Sequence, residues 1–274
     1  MKMIRNFVAG VLALLAIAAA NAEPAAPANE PSARPTLYLI GDSTVRNNTR
    51  GLQGWGDPIA AHFDPAKINV RNRALGGRSS RTFLTEGLWE KVRAELKPGD
   101  FVVMQFGHND GGGVNANKSR GSLKGVGEET QEVVKTGDVK EVVHTFGWYM
   151  RKYVTDAKAQ GATPIVCSLI PRNDWKDGHV LRASNGYSGF AAEVARQEHV
   201  PFIDLNEIIA RKYEAEGQEK VTKTYFLNEH THTTPVGAEL NAACVVEGIR
   251  SLTNCPLAAF LKPQPKAADA PPAK

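Results

Sequence analysis

The sequence contains few cysteines and lacks the short motifs that mark several large enzyme classes. Three cysteines occur in 274 residues, and none lies in a CxxC pair or at the Cys/His spacing of a structural zinc site. No GxSxG, GxxxxGKS/T or HExxH motif is present. These absences exclude the nucleophile-elbow hydrolase, P-loop and helix-borne zinc-protease patterns.

An excess of one charge sign is also absent. The chain carries 33 basic and 29 acidic residues; without Lys2 and Arg5 the count is 31 to 29, a net charge of +2. Proteins that bind nucleic acid usually show a clustered basic face. We therefore expect no nucleic-acid partner.

Only one long apolar segment occurs, at residues 7–20. It follows Lys2 and Arg5, is too short to span a membrane comfortably, and ends at the small-x-small site Ala20-Asn21-Ala22. This pattern is typical of a secretory signal peptide over residues 1–22 rather than of a membrane anchor. We predict cleavage near Ala22, a secreted or periplasmic location and no attachment to a membrane.

The rest of the chain divides by composition. Residues 23–35 and 262–274 are rich in Pro and Ala, which is typical of a disordered linker and a disordered tail. Residues 36–261 are enough for one domain with a sizeable core, and two small domains are the alternative. We expect a monomer.

Short apolar runs alternate with helical periodicity along this domain. Runs of strand length occupy residues 37–40, 68–70, 101–106, 163–170 and 202–204; helical spacing occupies 59–63, 86–96, 139–160, 187–198, 205–216 and 237–252. This alternation predicts a three-layer α/β fold with about five mostly parallel strands, wound in a flavodoxin-like manner. The polar, glycine-rich segment 111–137 is too long for a plain connector and predicts a functional or a disordered loop.

The first predicted strand ends in Gly41-Asp42-Ser43-Thr44. Ligands bind at the carboxyl edge of open α/β sheets, so Ser43 is a candidate nucleophile. A Ser/Asp turn or a helix cap is the alternative for so short a motif. The interpretation of Ser43 therefore depends on three later stretches.

Two further strand ends offer hydrogen-bond donors. Gly76 and Gly77 follow the second strand, and paired glycines let backbone N–H groups approach a ligand closely. Asn109 follows the third strand and offers a side-chain amide. Such donors stabilise the oxyanion that develops in acyl transfer, with ordinary turns as the alternative. Neighbouring side chains on an extended backbone point to opposite sides, so we assign His108 a structural role.

The fourth stretch lies before the last predicted helix and contains Glu229 and His232. A serine hydroxyl needs a histidine to take its proton and a carboxylate to orient that histidine, and these residues supply both. His230 and His232 as metal ligands are an alternative, which lacks a third ligand. A polar loop that caps the last helix through Thr233 or Thr234 is compatible with either role.

Together these stretches resemble the four blocks of the SGNH (GDSL-type) hydrolase superfamily, which contribute Ser, Gly, Asn and His in this order. The corresponding residues are Ser43, Gly77, Asn109 and His232. A closer likeness is to rhamnogalacturonan acetylesterases, secreted esterases that remove acetyl groups from pectin. It is carried by Gly41-Asp42-Ser43-Thr44, Gly54-Trp55-Gly56-Asp57, Gly77-Arg78-Ser79-Ser80-Arg81, Phe106-Gly107-His108-Asn109-Asp110 and His230-Thr231-His232-Thr233. That family usually has Asp where this chain has Glu229.

The resemblance implies a flavodoxin-like SGNH hydrolase fold and a serine acyl-enzyme mechanism without a metal or cofactor. Ser43 would attack the acetyl carbonyl, His232 would move the proton, and Glu229 would orient His232. The N–H groups of Ser43 and Gly77 and the Asn109 side chain would bind the oxyanion.

The resemblance also implies an acetylated acidic polysaccharide as the substrate. Arg78, Arg81 and Arg172 are candidates to bind its carboxylates, with a solvated surface position as the alternative for each. Trp175 is a candidate to stack on a sugar ring, whereas we expect Trp55 in the core. Alternative substrates are acetylxylan, another cell-wall glycan, a lipid or a thioester. A catalytically silent glycan-binding module is an alternative of another class.

The cysteines have separate predicted roles. Cys244 and Cys255 bracket the end of the last predicted helix, and export would permit a disulfide between them. Cys167 lies in an apolar run and is predicted to be a small buried core residue.

Overall fold

The computed structural model describes residues 34–115, 119–227 and 229–263. The predicted signal peptide, residues 23–33 of the predicted linker and residues 264–274 of the predicted tail lie outside this part of the chain. The strands in the described residues are β1 (Thr36–Gly41), β2 (Asn69–Asn72), β3 (Phe101–Gln105), β4 (Thr130–Lys135), β5 (Val139–His144), β6 (Thr163–Cys167), β7 (Trp175–Lys176), β8 (His179–Val180) and β9 (Phe202–Ile203).

Helices lie between most of these strands. The α-helices are α1 (Ser80–Thr85), α2 (Leu88–Arg93), α3 (Phe146–Ala159), α4 (Tyr187–Gln197), α5 (Leu205–Glu216), α6 (Gln218–Thr224) and α7 (Pro235–Ser251), and two 3₁₀-helices cover Ile59–His62 and Pro256–Phe260. No described helix combines the length and the apolar character needed to cross a bilayer.

The central sheet has five parallel strands in the order β2-β1-β3-β6-β9. This is the flavodoxin-like order, in which the chain first winds to one side of β1 and then to the other. The predicted three-layer α/β fold is therefore confirmed. The carboxyl ends of β1, β2, β3 and β6 meet at one edge, where the residues that follow these strands come together.

Alternate residues of the central strands pack against different helices. Leu37 and Leu39 of β1 belong to one buried cluster with residues of α5 and α7. Tyr38 and Ile40 belong to a second cluster with residues of α2, α3 and α4. Successive side chains of a strand point to opposite faces, so a strand covered on both sides reads as an uninterrupted apolar run.

Residues 139–160 do not form the single helix that the spacing predicts. Residues 139–144 form β5, which pairs antiparallel with β4, and the helix begins only at Phe146. Thr145 caps it, since its side chain accepts a hydrogen bond from the Trp148 N–H at 3.1 Å. The valines before Thr145 are β-branched and favour a strand, although their spacing also fits a helix. The predicted loop 111–137 therefore ends in a β-hairpin.

The predicted helix 86–96 is also divided. Gly87 adopts a φ of +70° at the start of α2, which separates it from α1. No helix was predicted at α1. Its start at Ser79 forms a capping box with Thr82, but such a box usually has Glu or Gln in the position of Thr82, so the motif was not recognisable from the sequence.

The predicted disulfide between Cys244 and Cys255 is wrong, because the structure has both as free thiols. Each side chain packs into the apolar cluster that lies against α5 and α7 instead of bonding to the other. Cys167, at the end of β6, is fully buried as predicted.

Candidate active site

Ser43 lies in a tight turn that follows β1. A side chain on Gly41 would approach the Gln105 carbonyl to 2.6 Å, so only glycine lets the turn start against β3. The buried Asp42 carboxylate accepts hydrogen bonds from the Thr44 N–H at 2.8 Å and the Thr44 hydroxyl at 2.7 Å. These contacts fix the backbone on both sides of Ser43.

A buried chain of hydrogen bonds supports this turn from below. The Trp55 indole N–H donates to Gln105 Oε1 at 2.8 Å, and Gln105 Nε2 donates to the Thr44 hydroxyl at 2.6 Å. Trp55 is fully buried, as expected for a core residue. Burial raises the pKa of Asp42 to about 6, although the hydrogen bonds from Thr44 lower it.

The side chains of Ser43, His232 and Glu229 are in contact in this order. Ser43 Oγ lies 2.7 Å from His232 Nε2, and His232 Nδ1 lies 2.8 Å from Glu229 Oε1. If His232 Nδ1 carries the proton, it donates to the carboxylate and Nε2 is free to accept the serine proton. This is the arrangement by which a histidine activates a serine hydroxyl.

The Glu229 carboxylate is held by the loop as well as by the imidazole. It accepts a hydrogen bond from the Thr231 N–H at 2.8 Å and another from the His232 N–H. Burial raises the pKa of Glu229, but these two hydrogen bonds and the charge of His232 outweigh it, so the pKa lies below its ordinary value. The longer side chain thus occupies the position beside Nδ1 that a triad carboxylate needs.

The loop that carries His232 is anchored at its far end. The Thr233 hydroxyl donates to the Gln53 carbonyl at 3.0 Å, and the Gln53 N–H donates to the Thr233 carbonyl at 2.9 Å. Thr234 caps α7, because its side chain accepts a hydrogen bond from the Gly237 N–H. The predicted capping role therefore belongs to Thr234, and Pro235 starts the helix.

The three residues predicted to bind the oxyanion lie around one cleft. Ser43, Gly77 and Asn109 all line the same cleft. Within the described chain, neither the Ser43 N–H nor the Gly77 N–H donates to another protein atom. Asn109 Nδ2 donates to the Arg78 carbonyl at 2.9 Å, which orients the amide and leaves its second hydrogen available. The oxyanion-binding role of this set stays a prediction.

His108 lies on the cleft wall together with Asn109, although the two side chains were expected to point to opposite sides. The two residues lie in a turn after β3 rather than on an extended strand, so the rule of opposite sides does not apply. Burial lowers the pKa of His108 to about 3, and the charge of Arg172 adds to this. A neutral imidazole here adds no positive charge beside His232.

The cleft has a volume of about 750 Å³. Arg46, Arg120 and Arg172 line it, and no carboxylate does so among the described lining residues. Arg46 and Arg120 were not predicted as site residues. Arg46 follows Ser43 on the same turn, and Arg120 reaches the cleft by donating to the Gly77 carbonyl at 3.0 Å.

The predicted substrate-binding residues have different surroundings. Arg172 lines the cleft. The prediction for Arg81 is wrong, because its side chain is only 1% exposed and bonds to Glu141 at 2.8 Å. Arg78 is turned to Glu86, with 2.9 Å between Nε and Oε2, and it does not line the cleft. Trp175 packs against the core and donates to Asn173 Oδ1 at 2.7 Å, so it also lies off the cleft wall.

A second histidine supports Arg172. Arg172 Nη1 lies 3.1 Å from His230 Nε2, and His230 Nδ1 lies 2.7 Å from Asp174 Oδ1. An arginine only donates, so His230 accepts at Nε2 and donates from Nδ1 to Asp174. His230 therefore has partners other than His232, and the arrangement holds the guanidinium of Arg172 at the cleft.

Comparison with known protein families gives an extensive match. The model of the GDSL-like lipase/acylhydrolase family matches residues 39–240. The rhamnogalacturonan acetylesterase of Emericella nidulans is 35% identical over 214 residues, which cover 78% of this chain and 84% of that protein. The probable rhamnogalacturonan acetylesterase YesY of Bacillus subtilis is 33% identical over 223 residues, which cover 79% of this chain and 93% of that protein.

Solved structures show the same architecture. The crystal structure of the Bacillus subtilis protein YxiM has a TM-score of 0.65 at 25% identity, covering 81% of this chain and 57% of that chain. This chain thus spans little more than half of that longer protein. The acetylxylan esterase Axe2 of Geobacillus stearothermophilus has a TM-score of 0.51 at 18% identity, covering 78% of this chain and 94% of that chain. At this identity the likeness concerns the fold alone.

Proposed function

Because this chain belongs to the GDSL-like lipase/acylhydrolase family, we propose that it removes O-acetyl groups from rhamnogalacturonan, an acidic polysaccharide of pectin. It is an ester hydrolase. The observation that carries the mechanism is the contact between Ser43 and His232, with 2.7 Å between Oγ and Nε2. The 33–35% identity to two proteins named as rhamnogalacturonan acetylesterases supports the substrate.

Acylation of Ser43 is the first half of the proposed reaction. The Ser43 hydroxyl attacks the acetyl carbonyl carbon while His232 Nε2 takes the hydroxyl proton. The N–H groups of Ser43 and Gly77 and the Asn109 amide stabilise the oxyanion, and a single such donor contributes about 3–4 kcal/mol in comparable sites. When the C–O bond to the sugar breaks, His232 gives its proton to the sugar oxygen, which leaves as a hydroxyl.

Deacylation repeats these steps with water. His232 takes a proton from a water molecule, whose oxygen attacks the acetyl-Ser43 carbonyl. The bond to Ser43 Oγ then breaks, Oγ recovers the proton from His232, and acetic acid leaves and ionises to acetate in water. Glu229 remains ionised throughout, because its role is to hold His232 in the required tautomer and to stabilise the imidazolium.

The charge of the cleft favours an acidic substrate. Arg46, Arg120 and Arg172 line it without a compensating carboxylate among the described lining residues. Arginine binds carboxylates through two parallel hydrogen bonds, and rhamnogalacturonan carries a carboxylate on every second sugar of its backbone. The xylan backbone is neutral, so this charge would contribute less to binding acetylxylan.

Acetate release from two polymers tests the proposal. We expect faster release from acetylated rhamnogalacturonan than from acetylxylan by the wild type, and none from either by Ser43→Ala. The rate of p-nitrophenyl acetate hydrolysis normalises each preparation for active enzyme. Preference for acetylxylan would refute the substrate, and equal p-nitrophenyl acetate rates for wild type and Ser43→Ala would refute the esterase mechanism.

Export of the protein is a separate proposal that stands on the sequence of residues 1–22. A polymeric pectin substrate lies outside the cytoplasm, which agrees with a cleaved signal peptide. The amino-terminal residue of the protein recovered from expressing cells tests this point. We expect Glu23 at the amino end, and a chain that retains residues 1–22 would refute cleavage.

A further inference from the structure

A second cavity of about 480 Å³ adjoins the cleft on the side of β2. Arg46 and Leu75 line both cavities, so the two concave surfaces meet at these residues. The remaining wall comes from the segment after β2 and from α2 with the residues that follow it. It consists of Arg73, Ala74, Leu88, Lys91, Val92 and Glu95.

The wall of this cavity combines apolar and positively charged groups. Leu88 and Val92 belong to the packed apolar side of α2, and Lys91 lies between them in sequence with an exposed side chain. The sugar ring of a uronic acid has the matching chemistry, with C–H groups on the ring and a carboxylate at one corner. A cavity of this size is within the usual range for small-ligand sites.

The charges in this cavity do not cancel. Glu95 is its carboxylate, and two arginines already neutralise it: Arg73 at 2.7 Å and Arg71 at 2.8 Å. Among the described residues Lys91 has no carboxylate partner, and the Arg46 side chain makes only a 3.4 Å hydrogen bond to the Asn72 carbonyl. Lys91 and Arg46 therefore remain available to an anionic group from outside.

We propose that this second cavity binds a further uronate residue of the same polysaccharide chain whose acetylated residue lies in the catalytic cleft. Lys91 and Arg46 hold its carboxylate, and Leu88 contacts the sugar ring. The inference rests on the proposed function. It adds that the enzyme recognises an acetylated sugar within an acidic chain, and that a lone acetylated sugar lacks part of the binding energy.

Charge reversal at Lys91 tests the second cavity, and Lys97→Glu is the matched control. Both lysines are exposed and have no ion-pair partner among the described residues, but Lys97 lies just before β3, at the opposite edge of the sheet. For Lys91→Glu we expect KM for acetylated rhamnogalacturonan to rise about 5- to 10-fold, because an attractive exposed pair becomes a repulsive one. For Lys97→Glu we expect the KM of the wild type.

The salt concentration and the length of the substrate give two independent tests of the second cavity. Raising NaCl from about 0.1 M to 1 M shortens the screening length from about 10 Å to 3 Å, so it should reduce the KM difference between Lys91→Glu and the wild type. The difference should also vanish on single acetylated sugars. Each polymer rate is divided by the p-nitrophenyl acetate rate of the same variant, which corrects for folding.

Two results would overturn the inference, and they are distinguishable. If the wild type releases acetate from the polymer and both lysine variants have the same KM, the second cavity does not bind the chain, and the proposed function stands. If the wild type releases no acetate from rhamnogalacturonan, the proposed substrate fails and the second cavity fails with it.

Discussion

The carboxylate of Glu229 is predicted to contribute to catalysis although it is one methylene longer than the usual aspartate. It lies 2.8 Å from His232 Nδ1 and its side chain is 36% exposed. A hydrogen bond to a charged group contributes about 1.5–3 kcal/mol, and solvent screening at this exposure favours the lower part of that range. Glu229→Ala should therefore lower kcat about 10- to 100-fold.

Glu229→Gln should lower kcat further than Glu229→Ala does. The glutamine amide has one oxygen for the acceptor positions that the carboxylate now fills, and its NH₂ group would donate to His232 Nδ1. The imidazole proton would then lie on Nε2, which faces Ser43 and cannot accept the serine proton. In a comparable triad, the swap of carboxylate for amide costs about 10⁴-fold in kcat.

Steady-state hydrolysis of p-nitrophenyl acetate measures both variants. Glu129→Gln is the matched control, because Glu129 is exposed, does not line the cleft and has no ion-pair partner among the described residues. It should retain the wild-type kcat. Wild-type kcat in Glu229→Ala would refute the reasoning and would indicate that Ser43 and His232 work as a dyad.

Three further predictions concern the site and the core. Asn109→Ala should lower kcat for p-nitrophenyl acetate about 10²- to 10³-fold with little change in KM, because an oxyanion donor is lost; an equal rise in KM would contradict this role. Arg81→Ala should lower the free energy of unfolding in urea by about 2–3 kcal/mol, since it removes two hydrogen bonds to Glu141, which then keeps only Lys135, and leaves the buried Gly121 carbonyl without its donor; an unchanged midpoint would contradict it. Folding raises the pKa of Asp42 from 3.8 to about 6. The protonated carboxyl therefore stabilises the folded state fully below pH 3.8, and this stabilisation is lost as the pH rises through about 6. As the pH rises from acidic to mildly alkaline, the free energy of unfolding of Asp42→Asn should therefore increase by about 3 kcal/mol relative to that of the wild type. A difference between the two that does not change with pH would refute this.

Most of the central fold could be predicted because β1, β3 and β6 are buried along most of their length. Short apolar runs marked all five strands, although β2 at the edge is only partly buried, and the alternation with helices predicted their parallel pairing. The hairpin of β4 and β5 could not be predicted in this way. Val139, Val142 and Val143 have helical spacing, although their β-branched side chains favour a strand, and the pairing partner, β4, lies in a polar segment.

The error at Arg81 follows from the missed hairpin. An arginine next to a glycine-rich motif is usually exposed, and its burial here depends on Glu141, which β5 supplies from 60 positions away. Arg46 could have been predicted to line the cleft, because it follows Ser43 on the same turn. Arg120 could not have been predicted there, because its position at the cleft depends on the path of a long polar loop.

The candidate catalytic residues were easier to predict, since each lies after a predicted strand or before a predicted helix. The carboxyl ends of β1, β2 and β3 meet at one edge of the sheet, which determines where Ser43, Gly77 and Asn109 lie. The position of Glu229 could not be derived from the sequence. It depends on two loop N–H groups that hold a longer side chain in place.

Covalent labelling tests the central claim, that His232 activates Ser43 as the nucleophile. A p-nitrophenyl alkylphosphonate transfers its phosphonyl group to an activated serine and releases p-nitrophenolate. We predict one adduct per chain on the peptide that contains Ser43 and no adduct in Ser43→Ala. Labelling of His232→Ala should be about 10²-fold slower than that of the wild type, because the general base is gone. An adduct on another serine, or wild-type labelling of His232→Ala, would contradict the account.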